Sequence, residues 1–216
     1  MLEIIPEIIL ASKSKPRCEL LEKFHIKFRV LPSNIDETPL PNEQPLDLVE
    51  RLSKEKAKFV LNNILLDPRN TNLNAKNNYI IISSDQVAVV DNKIYGKPGN
   101  YENAVEQLQT FSGKELKFIT GLFVLPYGEF ITRGNKNGIY SYEVSTLKIK
   151  ELHENQIINY LRKEQPYDCA ASFKIEGLGI SLVDSIITED FNAIIGLPLL
   201  KLSKVLTKLN LDVLNI

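Results

Sequence analysis

Residues 79–98 set the pattern from which the rest of the chain is read. Tyr79-Ile80-Ile81-Ile82 and Val87-Ala88-Val89-Val90 are two apolar runs separated by Ser83-Ser84-Asp85-Gln86, and the stretch closes on Gly96-Lys97-Pro98. Such a β-branched run predicts a strand buried on both faces. Asp85 sits inside that apolar context. A carboxylate there has to be paired, hydrogen-bonded or metal-bound, because stranding it in low dielectric is strongly unfavourable. It either caps a turn or belongs to a site. Lys97, in a short loop past the second run, offers a cation.

Taken in order, Ile8-Ile9-Leu10-Ala11 reads as a short buried strand running into a helix. Ser14 suits the N-cap, Pro16 the first turn, and Leu20, Leu21 and Phe24 an inward face. Backbone N–H groups beside serine hydroxyls and Arg17 form a candidate anion site, with a capped helix bearing a surface arginine as the alternative. Residues 28–38 predict a strand leading to a loop with Asp36 and Glu37, adjacent acids whose default is solvent. Residues 46–66 predict a helix whose apolar stripe is Val49, Leu52, Val60 and Ile64. Lys56 falls in the middle of that stripe. It either snorkels or points through the helix–sheet seam towards a ligand.

Residues 67–78 are asparagine-rich and aperiodic, which predicts a solvent loop. Asn100 opens a helix with Ala104, Val105, Leu108 and Phe111 inward, ended by Ser112-Gly113. A strand over 118–125, broken at Thr120-Gly121, a turn-rich segment over 128–138 and a strand over 140–149 predict a long hairpin. A helix follows with Ile157, Ile158 and Leu161 inward. Residues 165–179 read as a loop, 180–187 as a strand and 198–209 as a closing helix. Strands and helices alternate without a clean βαβ repeat, so the pattern predicts a mixed α/β fold rather than a simple doubly wound one.

Composition narrows the chemistry. The 216 residues allow one good core, 25 % are charged and the net charge is -1. No global basic field draws the chain to nucleic acid or acidic lipid. The start lacks a basic leader and no apolar run is long enough for a bilayer, so no membrane partner is expected. Cys18 and Cys169 form no CxxC, which predicts reduced thiols in a cytoplasmic protein. With His25 and His153 the only histidines, a His-rich zinc site and a Ser-His-Asp triad are disfavoured. Carboxylates, lysines and arginine are left to carry any reaction.

Those residues also carry a resemblance. Ser12-x-Ser14-x-x-Arg17, Asp36-Glu37-Thr38, Lys56-Ala57, Ser84-Asp85-Gln86, Gly96-Lys97-Pro98, Thr120-Gly121 and Gly196-Leu197-Pro198 follow the order of Maf-type nucleotide pyrophosphatases over nearly the whole chain. The chain most resembles the branch that hydrolyses 7-methyl-GTP, on Asp168-Cys169-Ala170 and Ser172-Phe173-Lys174-x-Glu176-Gly177. The resemblance implies a single α/β domain over 1–216 of Maf/ITPase-like form, a mixed twisted sheet flanked by helices with a cleft between two lobes. It also implies a cytoplasmic enzyme, often a homodimer, that needs Mg²⁺ or Mn²⁺ and releases pyrophosphate from a nucleoside triphosphate.

Residue by residue, the resemblance puts the catalytic acid on Asp85 and the polar cluster on Ser12, Arg17, Glu37, Lys56 and Lys97. Ser14 joins the substrate-binding set, Glu37 and Asp85 the metal ligands, and Pro16, Gln86 and Glu176 the specificity positions. The chain departs from the family pattern at several places. Lys15 stands for a proline, Pro16 for a large aromatic, Cys18 for a second arginine, and Ser83 and Ala171 for glycines. Pro16 removes a ring that could stack near the anion loop.

Elementary chemistry agrees with these assignments. A triphosphate needs its charge neutralised before water attacks, which Arg17, Lys56, Lys97 and a hard cation on carboxylates would do. Guanine's N1–H and N2–H₂ fit one carboxylate as a bidentate acceptor, which points Glu176 to guanine, with Gln86 as a further polar contact. Methylation at N7 adds a positive charge that the same carboxylate favours. Two other readings remain open: a dTTP or UTP pyrophosphatase of the sister branch, and a nucleotide-binding regulator of septum formation that hydrolyses nothing.

Overall fold

The computed structural model describes residues 6–67, 78–128 and 136–215. Apart from its two end residues, the asparagine-rich segment lies outside the described residues, as does most of the turn-rich segment. Strands β1 (Glu7–Leu10), β2 (Phe28–Val30), β3 (Tyr79–Val90), β4 (Lys93–Tyr95), β5 (Glu115–Tyr127), β6 (Ile139–Ile149) and β7 (Val183–Ile187) share one sheet. Its order is β2-β1-β3-β5-β6-β7, with β4 paired to β3. The helices are α1 (Lys15–Glu22), α2 (Pro45–Leu66), α3 (Tyr101–Phe111), α4 (Glu154–Glu164), α5 (Phe191–Ile195) and α6 (Leu199–Lys208). None of the described helices is long and apolar enough to cross a membrane.

The sheet is mixed, as the irregular alternation predicts. β1 runs parallel to β2 and to β3, with Ile8 opposite both Phe28 and Ile80. β4 folds back antiparallel on β3 with Tyr95 opposite Ala88, and β7 lies antiparallel to β6 with Ile187 opposite Thr146. The chain divides into two compact units. The first holds the chain up to Asp85, Gly121–Tyr142 and the chain from Gly196; the second holds Gln86–Thr120 and Glu143–Ile195.

In the first unit, α2 lays Ala57, Val60 and Ile64 on Ile9, Ile81 and Phe123. This contact is close because β5 carries Gly121. A Cβ there would sit 2.5 Å from Val49 Cγ1 and 2.8 Å from Ser53 Oγ, so only glycine lets the helix approach. In the second unit, Leu108 and Phe111 of α3 and Leu161 of α4 pack with Val90, Phe118 and Leu147.

The segment over 28–38 is a strand leading to a loop, as predicted: it pairs only over Phe28–Val30, since Pro32 has no N–H to donate and Pro39 and Pro41 follow. Two predicted elements differ. β5 is one uninterrupted strand: Thr120-Gly121 does not break it, because the glycine serves helix packing. The late strand begins only at Val183. Residues 178–182 form a 3₁₀ turn, in which Gly179 N–H donates to the Lys174 carbonyl and the Ser181 hydroxyl to the Leu178 carbonyl.

Candidate active site

The first unit gathers four charged side chains around the end of its β3 segment. Asp85 is buried there, and Lys56 of α2 reaches it through the helix–sheet seam, with Nζ 2.5 Å from Oδ1. The same ammonium lies 2.9 Å from Glu37 Oε1. Lys56 therefore does not snorkel: its side chain is 6 % exposed, against 57 % for Glu37.

Local sequence explains this alignment. Ser53 and Lys56 are three residues apart on one face of α2, and Ser83 and Asp85 two apart on one face of β3. The Ser83 hydroxyl donates to the Ser53 carbonyl at 2.6 Å and lies 3.2 Å from the Phe123 carbonyl oxygen. That buried bond fixes the register that sets Lys56 opposite Asp85.

Glu37 is steered by its loop. The Thr38 N–H and hydroxyl both donate to Asp36 Oδ1, at 2.9 and 2.6 Å, forming a tight turn around Glu37. Arg51 of α2 ties that turn down, donating through Nη2 to the Thr38 carbonyl at 3.1 Å. It also grips both Glu43 oxygens, through Nε at 2.6 Å and Nη2 at 2.8 Å. Arg51 carries no motif signal; only its place one and a half turns before Lys56 hints at the role.

At α1 the predicted cap is present, with the Arg17 N–H donating to Ser14 Oγ at 3.5 Å. Pro16 lies in the first turn of the helix. Ser12 Oγ accepts from the Ser14 N–H at 3.2 Å and from Arg17 Nη1 at 3.5 Å, which leaves the Ser12 hydroxyl hydrogen to donate. Arg17 Nε donates to the Gly196 carbonyl at 2.9 Å, and the Ser84 hydroxyl donates to the same oxygen at 2.8 Å. Gly196 has φ +131, and a Cβ there would come within 3.2 Å of Arg17 Nε, so glycine is required. No hydrogen bond to Arg17 Nη2 occurs among the described residues, which leaves donors for an anion.

Loss of water around Arg17 lowers its pKa, while Asp85 and then Glu37 push it back up. A guanidinium starts so far above neutrality that it stays charged. Arg17 and Lys56 against Glu37 and Asp85 make a quartet of zero formal charge.

The donor set suits a hard cation. Glu37 and Asp85 bring oxygens to one ammonium, so both come within reach of a single positive centre. Mg²⁺ or Mn²⁺ takes one or two carboxylates and fills its shell with water and phosphate oxygens. Among the described residues no group of three or more His, Cys, Asp or Glu assembles a full cage, so such an ion would lean on its substrate.

The remaining predicted residues lie in the second unit. Lys97 is exposed in the loop between β4 and α3. Gln86 donates its amide to Thr120 Oγ1 and the Ala193 carbonyl, each at 2.9 Å, and to the Ile194 carbonyl at 3.0 Å. Its nitrogen is thus committed to structure and its carbonyl oxygen is the end left for a ligand. Glu176 is exposed after Ile175. Burial first, and the Glu176 charge second, push the Cys169 thiol up, which makes it a poor nucleophile.

Comparison with known proteins covers nearly the whole chain. A 7-methyl-GTP pyrophosphatase from Nitrosococcus oceani is 40% identical over 97% of this chain and 96% of its own length. Those from Pseudoalteromonas translucida and Colwellia psychrerythraea are each 43% identical over 96% of this chain and 94% of their own. Among solved structures, a HAM1 protein from Coxiella burnetii aligns over 68% of this chain and 75% of that chain, at 12% identity and a TM-score of 0.38. Residues 7–209 match the family described as Maf-like protein, and the chain belongs to it.

Proposed function

We propose that this chain is a hydrolase that cleaves 7-methyl-GTP to 7-methyl-GMP and pyrophosphate. The observation that carries the reading is the buried Asp85–Lys56 pair with Glu37 on the same ammonium. A surplus structural carboxylate would be free to sit in solvent; this one is held in place, and the relatives that share its chain length bear the name of that activity.

The residues divide the work by their geometry. Asp85 Oδ1 is taken by Lys56, and no hydrogen bond to Oδ2 occurs among the described residues. Oδ2 is the atom that accepts a proton from the attacking water, as general base. Arg17, through Nη2, the Ser12 hydroxyl and the capped start of α1 hold phosphate oxygens. Ser14 acts there as the cap. Lys56 exchanges part of its carboxylate contact for phosphate as charge builds in the transition state. Lys97 supplies a third side-chain cation for the phosphates, and Glu176 reads the base edge with Gln86 in support. Pro16, where an aromatic would stack, leaves base recognition to polar contacts. A divalent cation on Glu37 and Asp85, when bound, neutralises phosphate charge and polarises the scissile anhydride.

The test is pyrophosphate release by the purified protein from a panel of 7-methyl-GTP, GTP, UTP and dTTP with Mg²⁺ or Mn²⁺. The expected result is a clear preference for 7-methyl-GTP. Preference for UTP or dTTP would move the chain to the pyrimidine branch, and nucleotide binding without release would overturn the assignment as an enzyme.

A further inference from the structure

In the second unit the proposed phosphate cation and the proposed base reader stand on different loops, and one side chain joins them. Lys97 follows Gly96 in the β4–α3 loop; Glu176 lies at the far end of the loop over 165–179. Gln107, on α3 and partly exposed, reaches both. Its Nε2 donates to the Gly96 carbonyl at 3.3 Å, and its Oε1 accepts from the Ser172 hydroxyl at 2.6 Å. The Gly96 carbonyl can only accept, which fixes the orientation of the amide. Ala171 N–H adds a direct bond to the same Gly96 oxygen at 3.0 Å, and Gly99 N–H donates to the Tyr167 carbonyl at 3.1 Å.

The clasp continues to Glu176. The hydroxyl of Tyr160, itself buried, donates to the Ser172 carbonyl at 3.1 Å and accepts from the Lys174 N–H at 3.0 Å, two residues before Glu176. Ala171 and Ser172 both lie in the left-handed region, at φ 56 and 55, and both are fully buried. Two consecutive non-glycine residues hold that conformation only where surrounding contacts over-determine it. Gln107, Gly96 and Tyr160 supply those contacts.

We propose that Gln107 is a positioning residue that couples Lys97 to Glu176, so that recognition of the base and alignment of the phosphate cation are set together. This rests on the function proposed above. A lone structural role would lower turnover on every triphosphate alike; a coupling role changes the preference between bases and makes the two loops interdependent.

The experiment measures kcat/KM for 7-methyl-GTP and UTP in the wild-type protein and in Gln107→Leu, with the melting temperature of each. Gln107→Leu is expected to cut the ratio of the two kcat/KM values about tenfold, with the protein still folded. A double-mutant cycle of Lys97→Ala with Glu176→Gln is expected to be non-additive in the wild-type background and additive beside Gln107→Leu. Ser172→Ala removes the same contact from the other loop and is expected to lower the ratio too, which serves if Gln107→Leu does not fold. An unchanged ratio, equal loss on both substrates, or an additive cycle in the wild-type background overturns the coupling. If the wild-type protein prefers another triphosphate, the substrate reading falls. The same ratio between its best and worst substrates, with the same cycle, then decides the coupling.

Discussion

Lys56 Nζ lies 2.5 Å from Asp85 Oδ1, and the two side chains are 6 % and 7 % exposed. Lys56 keeps a second carboxylate, Glu37 at 2.9 Å, whereas no other cation is in salt-bridge contact with Asp85 among the described residues. Removing either partner should therefore have unequal effects. Asp85→Asn leaves Lys56 paired with Glu37, so the fold survives while turnover falls by about 10²-fold or more. Lys56→Met strands the Asp85 charge and should destabilise the protein by about 2–4 kcal/mol, with the nearby Arg17 softening the loss. Pyrophosphate release and urea midpoints measure the two effects. Near-normal turnover in a folded Asp85→Asn protein contradicts the role of Asp85 as base.

Metal dependence should separate from folding. Two carboxylates do not make a structural cage, so the fold does not need the ion. Excess EDTA is expected to abolish pyrophosphate release, Mg²⁺ or Mn²⁺ to restore it, and the melting temperature to stay within a few degrees throughout. Full activity in excess chelator refutes the assignment of Glu37 and Asp85 as ligands.

The loop that presents Glu37 should be acid-sensitive through Glu43. Arg51, by its hydrogen bonds, lowers the Glu43 pKa from 4.5 to about 2. A depressed carboxylate stabilises the fold at pH above its unfolded value, and that contribution fades as pH falls towards the folded one. Glu43→Gln should thus melt lower than wild type at pH 7, and the gap should narrow below about pH 4.5, closing near pH 2. A gap that stays constant on acidification means the Arg51–Glu43 pair does not stabilise this loop.

Base preference should follow the Glu176 carboxylate. Glu176→Gln exchanges one acceptor oxygen for a donor, which mismatches the two donors of guanine and suits a pyrimidine carbonyl. The preference for 7-methyl-GTP over UTP should shrink by roughly 1–3 kcal/mol, read as the ratio of kcat/KM values. Unchanged selectivity in a folded variant would show that this loop does not read the base.

Much of the site is legible in the sequence because it lies on strongly periodic elements. The apolar run of β3 marks Asp85 as a carboxylate in the wrong solvent, and the stripe of α2 marks Lys56 as a cation on the wrong face. Neither pattern shows that the two meet; their distance depends on the Ser83–Ser53 bond and on the close approach at Gly121. Glu37 is harder, since adjacent acids in a loop default to water, and its direction comes from the Asp36 turn and from Arg51. Gly196 is visible as a motif, but its role depends on a carbonyl that joins residues 17, 84 and 196, far apart in the chain. The start of the strand over 180–187 is misjudged, because local turn bonds outweigh β-branched composition up to Leu182.

Ala171 holds a φ of 56, a left-handed conformation that glycine adopts without a Cβ penalty. A glycine there would relieve about 1–2 kcal/mol of left-handed strain. It would also lose a fully buried methyl, worth about 0.8 kcal/mol, and loosen the unfolded chain by about 0.4–1 kcal/mol. The opposing terms nearly cancel. Fold stability at this position is therefore close to indifferent between the two residues, while the freedom of the loop that carries Glu176 is not. The choice between alanine and glycine at residue 171 therefore sets the stiffness of this loop with almost no penalty in folding.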